Sequence, residues 1–137
     1  MSDRNNIDIL KDSYAAFGRG DLAAILRDVD PNVEWEEAGP KELPWAGSFR
    51  GHDGVKEFFA AIEAEAEVHS FEPQTFIAEG DKVVVLGYEK ISSKRTGRSY
   101  ECHWAHACTF AGGKIVKLRE YTDTSAIASA FRKESAA

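Results

Sequence analysis

Cysteine, proline and long apolar runs are all scarce in this chain. It has two cysteines and four prolines among 137 residues. Cys102 and Cys108 fall on one predicted strand, which separates them by about 20 Å, too far for a disulfide. No apolar run approaches the roughly 20 residues of a membrane-spanning helix, and the start of the chain does not resemble a signal peptide. We therefore expect a cytoplasmic protein with two buried, reduced thiols and no membrane partner.

Positive charge is also scarce. Seventeen Lys and Arg residues face 23 Asp and Glu residues, a net charge of −6, and no basic cluster is longer than a pair such as Lys94-Arg95. Nucleic acids and anionic membrane surfaces require a basic face, so neither is expected as a partner. The expected partner is a small molecule or a second copy of the chain.

The sequence predicts neither a metal site nor a cofactor. It has no CxxC or HxxxH motif, and the odd spacing of His103 and His106 places them on opposite faces of a strand. Gly112-Gly113 is predicted as a hairpin turn, without the following helix that a phosphate-binding loop needs.

Three helices are predicted in the first half of the chain from apolar residues three or four positions apart. Their apolar stripes are Ile7, Leu10, Tyr14 and Phe17; then Leu22, Ile25, Leu26 and Val29; then Val55, Phe58, Phe59 and Ile62. The candidate N-caps are Ser2 or Asp3, Asp21, and Asp53, and Asp30-Pro31 is expected to end the second helix.

Strands dominate the rest. One short strand carries Val33, Trp35 and Glu37, and a loop rich in Gly and Pro follows over residues 38–51. Further strands are predicted over 69–79 and 83–92, then a hairpin over 100–123 and a tail helix over 124–132. The connections between these later strands are short, which favours antiparallel pairing of the strands from residue 69 onward in chain order. We predict one α+β domain, in which three N-terminal helices close one side of a curved antiparallel sheet around a conical ligand cavity.

Ionisable side chains on apolar strand faces are the main functional signal. The first arm of the hairpin places Cys102, Trp104, His106, Cys108 and Phe110 on one face, and the second arm places Val116, Leu118, Glu120 and Thr122 on one face. Burying a histidine and a carboxylate costs several kcal/mol unless they are paired or used. This pattern predicts a polar site inside an apolar pocket.

The ordered motifs of the chain resemble the SnoaL-like group of the nuclear-transport-factor-2-like superfamily. The helix with Tyr14 and Phe17 is followed by GRGDLAAIL, DPNVEW, GSFRGHDGVKEFF, FIAEGDKVVVLG and HWAHACTFAGGKIVKLREYTD. The resemblance covers nearly all of residues 1–137 and implies a single domain with a conical pocket, found in homodimers. Its members include ketosteroid isomerases, polyketide cyclases, epoxide hydrolases and non-catalytic binding domains, so the fold does not fix the reaction.

The resemblance to isomerases implies roles for Tyr14 and His106. Both match positions that donate hydrogen bonds to a developing enolate, although each also has an ordinary interpretation as a core residue. The catalytic aspartate of the isomerases is replaced by Trp35, which cannot accept a proton. Glu37 faces the same way two residues later, and it becomes the candidate general base.

The resemblance to cyclases implies a role for Asp123, because they use an aspartate near the end of the last strand as acid and base. Capping of the tail helix is the alternative for Asp123. Strand alternation instead points Glu120 into the cavity. The expected substrate-binding residues are the aromatic side chains Trp35, Trp45, Phe59, Tyr88 and Trp104.

The sequence leaves open whether the chain is an enzyme. One hypothesis is a cofactor-independent isomerase or cyclase acting next to the carbonyl of a hydrophobic substrate. A second is a non-catalytic ligand-binding or dimerisation module, which the loss of the aspartate at Trp35 favours. A third is an epoxide or ester hydrolase, which requires Glu37 and Glu120 to converge on one water.

Overall fold

The computed structural model describes residues 5–132, which form four helices and six strands. The helices are α1 (Asn6–Arg19), α2 (Leu22–Arg27), α3 (Gly51–Glu65) and α4 (Thr124–Phe131). The strands are β1 (Val29–Glu37), β2 (Gly47–Arg50), β3 (Ala66–Glu79), β4 (Lys82–Ser93), β5 (Ser99–Ala111) and β6 (Lys114–Tyr121). The α+β class, with helices packed on a curved sheet, is confirmed.

The starts of the helices follow capping chemistry. Asn5 caps α1 by accepting the amide of Asp8 at 2.9 Å, while the Asp8 carboxylate accepts the Asn5 amide at 3.4 Å; the predicted caps Ser2 and Asp3 lie outside the described residues. Asp21 caps α2 as predicted. Asp53 does not cap α3, because that helix already begins at Gly51, and the carboxylate instead stands in the first turn, where the helix dipole favours it.

Helix α2 is shorter than predicted. It ends at Arg27, and Val29 begins β1 instead of completing the helical stripe. The residue before a proline avoids the helical conformation, so Asp30 is already extended ahead of Pro31. The predicted loop over 38–51 also contains a short edge strand, β2, which pairs antiparallel with β1.

The six strands lie in the order β2-β1-β6-β5-β4-β3. Antiparallel pairing in chain order, which was predicted for the strands from residue 69 onward, is confirmed, and β1 pairs antiparallel with β2 but parallel with β6. The reason is that α3 and the long β3–β6 meander separate β1 from its partner. Register shifts in β3 and between β5 and β6 mark bulges, which bend the sheet.

The core lies between the concave face of this sheet and the helices. The five residues predicted to share the inner face of β5 are all buried. On β6, however, Ile115 is buried and the predicted Val116 is only half-buried. The register shift opposite Thr109 and Phe110 causes this exchange, because one residue of slip reverses the two faces of a strand.

Gly87 makes room for an aromatic stack inside the sheet. It pairs with Trp104 on β5, and a Cβ atom at Gly87 would meet the Trp104 ring at 2.2 Å and the carbonyl oxygen of Glu72 at 2.7 Å. With that space free, the Trp104 ring lies nearly parallel to Phe71, at 4.7 Å between centroids, and stacks on His106 at 4.2 Å. The glycine therefore helps to fix the position of the buried histidine.

We predict that Gly87→Ala lowers the free energy of unfolding by about 1–3 kcal/mol or more, since an added methyl must displace both a ring and a backbone oxygen. Gly18→Ala is the matched control: its Cβ would meet no atom within 4 Å and it lies within α1, so it should gain roughly 0.5–1 kcal/mol. Urea denaturation checks both variants. Equal stability of the two would contradict the close approach of Trp104.

Candidate functional site

An internal cavity lies between the concave face of the sheet and helices α1 and α3. It holds about 80 Å³ of space that the centre of a water molecule can occupy, whereas a single water needs only about 10–15 Å³ by that measure. Its wall is mostly apolar, with the aromatic residues Phe17, Trp35, Trp45, Phe58, Phe59 and Phe71 and the ionisable residues Tyr14, Glu37, Glu89, His106 and Glu120. Ionisable side chains therefore lie within a mostly apolar wall.

A wider groove leads to this cavity from outside. The groove holds about 520 Å³ by the same measure, and it shares Tyr14, Phe17, Phe59 and Phe71 with the cavity wall. The ring of Phe17 contacts Phe59 at 5.7 Å and Phe71 at 5.1 Å between centroids. Phe17, Phe59 and Phe71 line both spaces, so the cavity and the groove adjoin at these rings.

Three ionisable residues form one row across three neighbouring strands. Glu37 on β1 is the register partner of Glu120 on β6, and Glu120 is the register partner of His106 on β5. All three are less than 10% exposed. Because register partners on one face lie side by side, strand pairing alone brings the three groups together.

Helix α1 adds a phenol to this row. The Tyr14 hydroxyl lies 2.7 Å from Nδ1 of His106, and Nε2 of His106 is hydrogen bonded to Oε2 of Glu120. The imidazole of His106 therefore bridges the phenol and the carboxylate, and its tautomer decides which ring nitrogen donates. Tyr14, His106, Glu120 and Glu37 therefore form a continuous buried chain, called the proton chain below.

The two carboxyls of the proton chain differ in charge. Burial raises the pKa of Glu37 well above its usual range, and the charge and hydrogen bond of Glu120 raise it further. Burial also acts to raise the pKa of Glu120, but His106 and the hydrogen bonds from Glu37 and His106 outweigh it and leave that pKa lowered. At neutral pH, Glu37 is the protonated member and Glu120 the ionised one. Sequence reasoning assigned Glu37 as the base, which this environment does not favour.

The phenol of Tyr14 is neutral for a similar reason. Burial raises its pKa well above the usual value, and the nearby Cys108 and Glu120 add to the shift. Tyr14 therefore brings a hydrogen-bond donor to the cavity without bringing a charge.

Glu89 is a cavity residue that the sequence analysis missed. It is 4% exposed, and the Tyr100 hydroxyl donates to its Oε2 at 2.5 Å. Burial raises its pKa to about 8, the charge of Glu120 adds to this, and the bond from Tyr100 opposes it. The signal was available, because alternation along β4 places Glu89 on the same face as the buried Val83 and Val85.

Three predicted aromatic residues, Trp35, Trp45 and Phe59, line the cavity. Trp104 is buried behind His106 and is not part of the wall. Tyr88 lies on the outer face of β4, where its hydroxyl donates to Glu101 at 2.9 Å. The prediction that Tyr88 lines the cavity was wrong, since alternation turns its neighbours Gly87 and Glu89 inward.

Asp123 does not reach the cavity. It is exposed, and its carboxylate accepts the amide of Ala126 at 3.0 Å as the N-cap of α4. The prediction of a base at this position was wrong, and the capping alternative is confirmed. The strand ends two residues earlier at Tyr121, so no strand alternation carries Asp123 inward.

Cys102 and Cys108 are free and buried. Within residues 5–132, no cluster of three or more His, Cys, Asp or Glu side chains is arranged to hold a metal ion. No helix in that range is long and apolar enough to cross a membrane.

Known proteins share both the sequence and the fold. The profile of the SnoaL-like domain family matches residues 10–118. An uncharacterized protein of Mycobacterium tuberculosis is 32% identical over 131 residues, which are 94% of this chain and 98% of the relative. A solved NTF2-like protein from Burkholderia xenovorans is 36% identical, with a TM-score of 0.85 over 93% of this chain and 95% of that one. TerC, co-crystallized with polyporic acid, is 30% identical, with a TM-score of 0.81 over 93% of this chain and 98% of that one.

We predict that Glu89→Gln weakens the pH dependence of stability. Between its unfolded pKa and about pH 8 the folded state holds a proton at Glu89 that the unfolded state has released. Stability must therefore fall as pH rises through this range. The variant should remove up to about 1.4 kcal/mol per pH unit of that slope, and part of the slope should remain because Glu37 acts in the same direction.

Urea denaturation at intervals from pH 5 to pH 8 checks this prediction. Glu79→Gln, at an exposed position on β3, is the matched control and should parallel the wild type. A Glu89→Gln slope equal to that of the control would show that Glu89 does not hold its proton in the folded state.

Proposed function

The chain belongs to the family of SnoaL-like domains, and on that premise we propose that it binds a small hydrophobic molecule and catalyses proton transfer next to a carbonyl group of that molecule. The reaction would be an isomerisation or a cyclisation that uses no cofactor. The observation that carries the proposal is the proton chain, in which an ionised and a protonated carboxyl meet at the wall of an apolar cavity. Paired groups with opposite protonation are what acid–base catalysis requires.

In this proposal Glu120 is the base. Its carboxylate takes a proton from the carbon beside the carbonyl and returns it to another carbon of the same molecule. The proton that Glu37 shares with Glu120 turns to the carbonyl oxygen and stabilises the enolate between the two transfers. Tyr14 and His106 hold the Glu120 carboxylate in place, because His106 is hydrogen bonded to Tyr14 on one side and to Glu120 on the other.

A second function, hydrolysis of an epoxide or ester, is favoured by one observation. That hypothesis required Glu37 and Glu120 to converge, and they are register partners on neighbouring strands that both line the cavity. Two such carboxyls can activate one water. The co-crystal of the relative TerC with polyporic acid supports an organic ligand under either function, and a non-catalytic binding module is the remaining outcome.

We predict that Glu120→Gln lowers kcat/KM about 10²-fold or more, the usual scale for losing a general base. The assay follows the absorbance change when a β,γ-unsaturated ketone is conjugated, with an epoxide and an ester tested in parallel. Because its pKa is lowered, Glu120 stays ionised through the neutral range. The rate should therefore fall only when the solution is acid enough to protonate Glu120.

Asp123→Asn is the matched control, since asparagine caps a helix as well as aspartate, and it should retain wild-type activity. Turnover of the epoxide or ester alone would select the second function. An active protein in which Glu120→Gln matches the wild type would remove the assignment of the base, and binding without any turnover would select the binding module.

We also propose that the chain forms a homodimer through the outer face of its sheet. Apolar side chains form two rows there, with Ile77, Val84 and Ala107 in one and Leu86, Ala105 and Tyr121 in the other; the two alanines are half-buried and the other four are exposed. Ile77 is 54% exposed and Leu86 is 42% exposed. A contiguous apolar patch marks an interface, and the small alanines at its centre allow a second sheet to approach closely.

We predict that Leu86→Glu yields a monomer, because the carboxylate would be buried without a partner at the dimer interface. Light scattering after size-exclusion chromatography measures the mass. Lys90→Glu, at an exposed position further along the same strand, is the control and should remain dimeric. A wild-type protein that is monomeric at high concentration would overturn the proposal.

The proposed location is the cytoplasm. The two cysteines are buried and unpaired, and burial raises the pKa of the Cys102 thiol to about 11 and of the Cys108 thiol to about 12. Such thiols are inert and suit a reducing compartment.

A further inference from the structure

The charge of the cavity wall is one-sided. Glu37, Glu89 and Glu120 enter it from β1, β4 and β6, whereas none of the lining residues is a lysine or arginine. The only basic side chain in the wall is His106, which is already hydrogen bonded to Glu120. Glu37 and Glu89 therefore have no lysine or arginine partner among the residues that line the cavity.

One of these carboxyls lacks a partner for an oxygen atom. Glu37 is 4% exposed, and its Oε1 is buried without a hydrogen-bond partner among the described residues. An unsatisfied buried acceptor costs about 1–3 kcal/mol, so such an atom at a cavity wall marks a place for a donor from a ligand.

The aromatic residues supply the rest of the environment. Trp35, Phe58 and Phe59 pack edge to face around one another, with centroids 5.1–5.9 Å apart. All three rings belong to the cavity wall, and an aromatic ring attracts an organic cation that lies over its face. The inner space of about 80 Å³ suits a compact head group, and the groove beyond the Phe17, Phe59 and Phe71 rings can hold a longer tail.

From these observations we propose that the ligand of this cavity carries a small alkylammonium group, which binds between the aromatic rings and the carboxyls of Glu37 and Glu89. This inference rests on the proposed function in one respect, that the ligand binds in the cavity. What it adds is the chemical class of the ligand. The ammonium N–H donates to the unpartnered oxygen of Glu37. A metal ion does not fit as the cation, because the described residues provide no cluster of ligands for one.

Binding of such a cation must release protons. Burial keeps Glu37 and Glu89 protonated in the empty cavity, and a cation beside them favours the ionised form. At neutral pH, Glu89 is the carboxyl closest to releasing its proton. The titratable groups that interact with it lie on three strands: Tyr100 and Cys102 on β5, Glu120 on β6 and Glu37 on β1. Cation binding and proton release are therefore coupled.

The test compares 2-(dimethylamino)ethanol, which is a cation at neutral pH, with 3-methylbutan-1-ol, in which a C–H replaces the charged N–H. Calorimetric titration at pH 7 in phosphate and in Tris measures both the affinity and the protons released. We expect the amine to bind at least 10-fold more tightly than the alcohol and to release up to about one proton. Phosphate and Tris differ in heat of ionisation, so the difference between the heats measured in the two buffers gives the number of protons released.

Two variants at the cavity sharpen the test. Glu89→Gln should weaken binding of the amine about 10-fold, reduce the proton release and leave binding of the alcohol unchanged. Glu37→Gln should also weaken binding of the amine. Glu79→Gln, at an exposed position on β3 that lines neither the cavity nor the groove, is the matched control and should behave as the wild type. Circular dichroism confirms folding of each variant.

Equal affinity for the amine and the alcohol, or no binding of the amine, would overturn this inference, as would unchanged binding of the amine in both cavity variants. These outcomes are distinct from failure of the proposed reaction. Tight, proton-coupled binding of the amine without turnover of any ketone, epoxide or ester would support the ligand class and remove the reaction. Turnover of a ketone without preference for the amine would support the reaction and remove the ligand class.

Discussion

The buried contact between Glu120 and its two neighbours organises this molecule. A carboxylate removed from water is tolerated only when other groups replace its solvation, and here His106 and the protonated Glu37 do so. That requirement governs the protonation of the residues in the proton chain. It also gives the cavity its character, because an ionised and a neutral carboxyl lie side by side in apolar surroundings.

The backbone produces this contact through strand register. Parallel pairing of β1 with β6 places Glu37 beside Glu120, and antiparallel pairing of β6 with β5 places Glu120 beside His106. The stack of Trp104 on His106, which the absent side chain of Gly87 permits, holds the imidazole from the other side. The fold and the site therefore depend on the same few alignments.

Short-range patterns in the sequence predicted what alternation and capping determine. They placed His106 and Glu120 inside the pocket, and they would have placed Glu89 there had the alternation of β4 been followed through. They could not reveal the parallel partner of β1 or the bulge that buries Ile115, because both depend on segments far apart in the chain. The effect of Glu120 on the pKa of Glu37 could not be predicted for the same reason, since Glu120 lies on the last strand.

The position of β1 beside β6 has a consequence for biosynthesis. Tyr14 and His106 are 92 residues apart in the chain, and Glu37 meets Glu120 only when the final strand is in place. While the ribosome is still making the chain, the apolar inner face of β1 has no neighbour on that side, and no part of the cavity wall is complete. Contacts of such long separation slow folding, so this domain must assemble after synthesis of β6, and a protein truncated before β6 would lose its site and its sheet together.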